Sequence, residues 1–83
     1  MTPRAALVAE FDECILEADS IAEESQKLDS AHRIALEQVR QLRDGSTFRD
    51  LQRTYLKYRN DLGHRLALNA QRVERLCWEL ARH

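Results

Sequence analysis

Glycine and proline are almost missing from this chain: its 83 residues hold two of one and one of the other. That scarcity argues against a fold built from many tight turns, where both residues are in demand. Cysteine is equally sparse. The two present, Cys14 and Cys77, have no metal-ligand spacing. They fit a reducing cytosol better than a disulfide scaffold. Nothing approaches the ~20 apolar residues of a membrane span, and no charged-then-apolar leader suggests secretion. Chemistry is missing too. The sequence offers no glycine-rich phosphate loop and no assignable Ser-His-Asp or Cys-His arrangement. Its carboxylates form no pair distinguishable from surface acids. An enzyme is not expected, nor is a cofactor.

What remains is a helix-coded composition, 43% hydrophobic and 33% charged. One small domain spanning 1–83 is expected. A chain this short buries only about 60–65% of its unfolded surface, which leaves it marginal unless something else covers it. The net charge of −1 hides an asymmetry. Residues 1–30 carry eight acids against Arg4 and Lys27, whereas residues 31–83 carry eleven basic residues against six acids. Two explanations fit: solvated faces that attract each other inside the fold, or a face for an acidic partner or nucleic acid.

The clearest interruption is Arg43-Asp44-Gly45-Ser46-Thr47-Phe48. Gly45 suits the left-handed residue that commonly ends a helix. Ser46 or Thr47 suits the cap of a following helix, and Thr47 with Asp50 approximates a capping box. Before this point Thr2-Pro3 opens a helix well. Leu7, Phe11, Cys14, Ala18, Ile21, Ser25, Leu28, His32, Ala35, Val39 and Leu42 then alternate steps of four and three. After it, Phe48, Leu51, Tyr55, Tyr58, Leu62, Leu66, Asn69, Val73, Leu76 and Leu80 form a second seam, with two successive steps of four around Gly63. Seams of this kind hold two packed helices face to face.

The expected fold is therefore all-α, an antiparallel two-helix hairpin resembling a coiled coil. The helices are placed at about residues 4–43 and 47–81, with the turn at 44–46. Ser20, Ser25, Asp29 and Ser30 leave room for a break in the first helix near residues 20–30. Folding at Gly45 sets His32 against Tyr58, Leu28 against Leu62 and Ser25 against Leu66. It also sets the acids at 10–24 beside Arg65, Arg72, Arg75 and Arg82. The pattern of hydrophobic residues and the pattern of charges thus agree on one topology.

Apolar residues also lie off the seam. Val8, Ile15, Leu16 and Ala22 on the first helix, and Ala67, Ala70, Trp78 and Ala81 on the second, are the candidate partner-binding residues. Trp78 sits roughly opposite Leu76 and Leu80, where one hairpin leaves it uncovered. An exposed apolar patch with an aromatic usually means a partner. Either a foreign helical protein or a second copy, giving a four-helix bundle, would complete the fold. Asp29-x-x-His32 and Asp61-x-x-His64 repeat an acid–His spacing, but the further inward carboxylates of a helical metal site are absent. A core histidine bonded to Tyr or Asp is the expectation, and no metal. Cys14 and Cys77 read as small buried hydrophobes.

Leu42-Arg43-Asp44-Gly45, the short polar turn, and Phe48-Arg49-Asp50-Leu51-Gln52 opening the next helix carry a resemblance. In these positions, and in its hairpin plan, the chain resembles the small YscE-type co-chaperones of bacterial type III secretion. The resemblance implies a cytoplasmic bacterial protein, active in protein transport, that pairs with a tetratricopeptide-like chaperone. Its implied task is to keep an exported needle subunit soluble. The alternative is a dimeric helical nucleic-acid-binding regulator using the arginines of the turn end, Arg33, Arg40, Arg43, Arg49, Arg53 and Arg59, with Lys57.

Overall fold

A computed structural model describes residues 2–82. Two helices, α1 (Pro3–Leu42) and α2 (Gly45–Arg82), pack antiparallel as a rod measuring 61 × 15 × 15 Å. No strand is present among the described residues, and no helix is long and apolar enough to cross a membrane. Thr2 caps α1 as its sequence suggests, its hydroxyl oxygen accepting from the Ala5 amide at 3.2 Å.

α1 runs without a break through residues 20–30. A serine inside a helix costs only a few tenths of a kcal/mol relative to Ala. Ser20 and Ser30 point to solvent, while Ile21 is buried and Leu28 half-buried in the seam. Continuous packing on one face outweighs the weak local preference for a cap.

The turn is built differently from expectation. Arg43, not Gly45, takes the left-handed conformation (φ 53°, ψ 33°), and its amide donates to the Val39 carbonyl. Asp44, rather than Ser46 or Thr47, caps α2. Its Oδ1 accepts from the amides of Ser46 at 3.0 Å and Thr47 at 3.4 Å, and its Oδ2 accepts the Thr47 hydroxyl at 2.7 Å. That hydroxyl, then the two amides, hold the Asp44 carboxyl below its ordinary pKa. Thr47 serves Asp44 and forms no capping box with Asp50. Gly45 is the first residue of α2, has no positive φ, and has nothing within 4 Å of where a Cβ would sit. An Asp side chain outcompetes a following Ser or Thr because an ionised acceptor suits the amides of a helix N-terminus. Gly45→Ala should therefore stabilise the hairpin by about 0.4–1 kcal/mol, and Arg43→Gly should relieve about 1 kcal/mol of left-handed strain. Urea titration followed by circular dichroism would measure both. A loss on Gly45→Ala would show that Gly45 is needed where it stands.

The reversal at Arg43–Asp44 comes before Gly45 and shifts the expected pairing. His32 stacks on Tyr55, ring centroids 3.9 Å apart and planes at 15°, and Tyr58 is exposed instead of facing it. Asn69 reaches Cys14, whereas the expected register would set it near Ile21. The innermost side chains are Cys14, Ile21, Val39, Leu62 and Leu76, joined by Asn69. Leu42, Phe48, Tyr58 and Leu66, expected in the seams, are exposed. Beyond Leu62 the buried row continues in sevens, through Asn69 to Leu76, so the extra step of four sends Leu66 to the side of the helix. Leu42 and Phe48 flank the closed end, where no third element covers them.

Candidate interaction surface

Residues seven apart fall nearly in line on a helix packed in this way. Glu10, Glu17 and Glu24 form such a row along one edge of the seam. Across from them, Arg65 reaches Glu24 at 2.7 Å and Glu17 at 3.1 Å, while Arg75 and Arg72 reach Glu10 at 2.8 and 3.3 Å. Bonds to Glu17 and then Glu24 raise the pKa of Arg65, and the bond to Glu10 does the same for Arg72. Of the four arginines expected beside the acids, three are paired; Arg82 forms no ion pair among the described residues. Solvent screens each of these pairs. Their main effect is orientation: together they mark one long face of the hairpin as charged.

The other edge of the seam is apolar. On α1 it carries Val8, Ile15 and Ala22. On α2 it carries Gly63, Ala70 and Cys77, with Leu66 beside them. Because the helices are antiparallel, both rows fall on the same face, opposite the glutamate row; toward the turn they run into Asp29 and Arg59, whose ion pair ends the apolar surface. All of these residues are exposed. Cys77 therefore departs from the expected buried thiol, whereas Cys14 is fully buried and both are free.

The eight candidate residues are all exposed, but they do not form one patch. Val8, Ile15, Ala22 and Ala70 share the apolar face. Trp78 comes two positions after Leu76, about 200° around the helix, so it projects from the back of α2; it is 65% exposed. Leu16 stands in the same relation to Cys14 and projects from the back of α1, 68% exposed. Ala81 lies between the apolar face and the back of α2, and Ala67 shares its row. The sequence spacing places Leu66 in the seam and Gly63 between its two successive steps of four, so neither stands out there as a surface residue. Counting in sevens from the most apolar row, Leu62 to Leu76, separates them from it.

A polar cluster ties the middle of the rod. The Tyr55 hydroxyl donates to Asp29 Oδ1 at 2.7 Å, which raises the tyrosine pKa, and Arg59 lies 3.8 Å from the same oxygen. Asp29 is thereby taken by Tyr55 and Arg59, not by His32, whose buried Nδ1 has no partner. Beside it a cleft of about 210 Å³ is lined mainly by Leu28, Ala31, Ala35, Leu51, Thr54 and the two tyrosines. No group of three or more His, Cys, Asp or Glu side chains that could hold a metal occurs among the described residues. Deeper in the seam, Asn69 Nδ2 donates to the Cys14 carbonyl at 2.9 Å, and its Oδ1 is buried without a partner.

The remaining charges are unevenly divided. Among the described residues, Asp12, Glu13, Asp19 and Glu74 in the open half make no ion pair, beside Arg4 and Arg82. Neither do Arg33, Arg40, Arg43, Arg49, Arg53 and Lys57 in the turn half, beside Glu37, Asp44, Asp50 and Asp61. No family model matches the chain, and no curated protein or solved structure matches it.

Proposed function

We propose that this hairpin is a protein–protein interaction module without catalysis, and in its most concrete form a cytoplasmic co-chaperone of bacterial type III secretion. The observation that carries the reading is Trp78. It is the chain's single tryptophan, and it stands exposed on the back of α2 with Ala81 one turn away and Ala67 about three turns away. Small neighbours let a partner helix approach closely and bury the indole, and a buried aromatic of this kind commonly dominates an interface. The mechanism is coverage: the apolar stripe of a needle subunit, or of its tetratricopeptide-like chaperone, is shielded from water until export.

The test is co-expression with such a chaperone and needle subunit. Trp78→Ala should retain full helicity by circular dichroism and lose about 2 kcal/mol or more of binding. In the intact chain, tryptophan emission should shift to the blue when the partner binds. A variant that unfolds, or that folds and binds normally, would remove Trp78 from the interface.

A second reading has its own observation, the six unpaired cations of the turn half. A dimeric nucleic-acid-binding regulator would use them against phosphates, and its affinity would fall steeply with salt. Duplex DNA and RNA titrations across a salt series separate the two readings. Specific binding at physiological salt, weakened by Arg40→Ala, Arg43→Ala and Arg49→Ala, would favour this one.

A further inference from the structure

We propose that the apolar face is covered by a second copy of the chain, with two hairpins stacked face to face and antiparallel. Their two-fold axis runs perpendicular to the helices, at the level of Gln26 of α1. This rests on the interaction-module reading and adds the identity and geometry of one partner. It leaves Trp78, on the back of α2, free for another.

Two observations meet at that axis. The first is charge. After internal pairing, acids outnumber cations among the unpaired charges of the open half, and cations outnumber acids in the turn half. Copies stacked in parallel would set like charges together; antiparallel copies set opposite charges together, a geometry that charge complementarity selects.

The second is spacing. Asp12, Asp19, Gln26, Arg33 and Arg40 lie seven apart and form one row bordering the apolar face. Reversed about Gln26, the row sets Asp12 opposite Arg40 and Asp19 opposite Arg33 of the other copy. In the adjacent row the same reversal sets Ile15 opposite Leu36.

The long face of a 61 × 15 × 15 Å rod is of the order of the ~800 Å² per partner that stable interfaces bury.

The test uses the full purified chain in analytical ultracentrifugation over a concentration series. The wild type should sediment at twice the 9.7 kDa of one chain. Asp12→Arg with Asp19→Arg should weaken the dimer at least about tenfold. Adding Arg33→Asp and Arg40→Asp should restore it. In a Cys77→Ser background, Gln26→Cys should oxidise to a disulfide-linked dimer. A wild type that stays at single-chain mass into the high micromolar range overturns the proposal. So does a dimer that ignores the charge reversals and fails to cross-link at position 26. Because only this chain is present, neither outcome depends on whether Trp78 binds a foreign helix.

Discussion

Leu76→Ala should remove a large share of the hairpin's stability. Leu76 has no exposed surface and, among the described residues, is one of only five buried apolar side chains. Truncating a buried leucine costs about 2–5 kcal/mol, the transfer term plus the cavity left behind. Domains of this size have a total stability of roughly 4–12 kcal/mol. Two packed helices have little else to repack into the space. The control is Leu66→Ala. The spacing of the sequence puts both leucines in one seam, but Leu66 is 48% exposed. It should lose under about 1 kcal/mol, as surface sites do. Urea denaturation of both variants, at a concentration fixed because association adds to apparent stability, would measure the difference. Equal losses would mean that the row through Leu62, Asn69 and Leu76 is not the core.

Asn69→Asp should be nearly as damaging at neutral pH. The substitution removes the donor that Asn69 gives to the Cys14 carbonyl and sets an anion against that carbonyl in a buried seam. Uncompensated buried charge costs about 3–5 kcal/mol. Burial and the facing carbonyl both favour the protonated carboxyl, so its folded pKa lies above the ordinary ~3.9. The sign follows. Below ~3.9 the acid is neutral in both states and the loss is least. As pH rises from there through the raised folded value, the unfolded state releases its proton first and stability falls. Asn69→Leu should do the reverse, removing an unsatisfied Oδ1 and adding apolar contact. It should stabilise the hairpin and loosen its register, because a lone polar residue in such a seam specifies alignment. Thermal melts of both variants between pH 4 and 8 would decide. A pH-independent Asn69→Asp variant as stable as wild type would place Asn69 outside the seam.

The topology was legible before the structure because two unrelated patterns pointed the same way. Apolar steps of four and three demanded two facing helices. Acids before residue 30 and arginines after residue 60 demanded that the open ends meet. The register was not legible. It depends on where the chain reverses, and Gly45 attracted the turn by its type. An Asp side chain at position 44 captures the helix N-terminus one residue earlier, and Arg43 accepts the left-handed conformation. Propensity names the residues suited to a turn; it does not weigh one cap against another that binds more amides. The division of the eight surface residues was hidden for a related reason. Which back or edge a side chain occupies depends on the exact seam row, and one residue of error turns it about 100°.

Thr2 and Arg82 lie at the same end of the rod, and this has a mechanical consequence. A force applied between the two ends pulls the helices apart sideways instead of sliding one along the other. The load then falls on one level at a time. It reaches Glu10 with Arg72 and Arg75 first, next Asn69 on Cys14, then Arg65 with its two glutamates, and the tyrosine–aspartate bond only after those. Contacts that act together at equilibrium are met singly, so the hairpin peels open as a zipper does, from its ends toward the turn at Arg43 and Asp44.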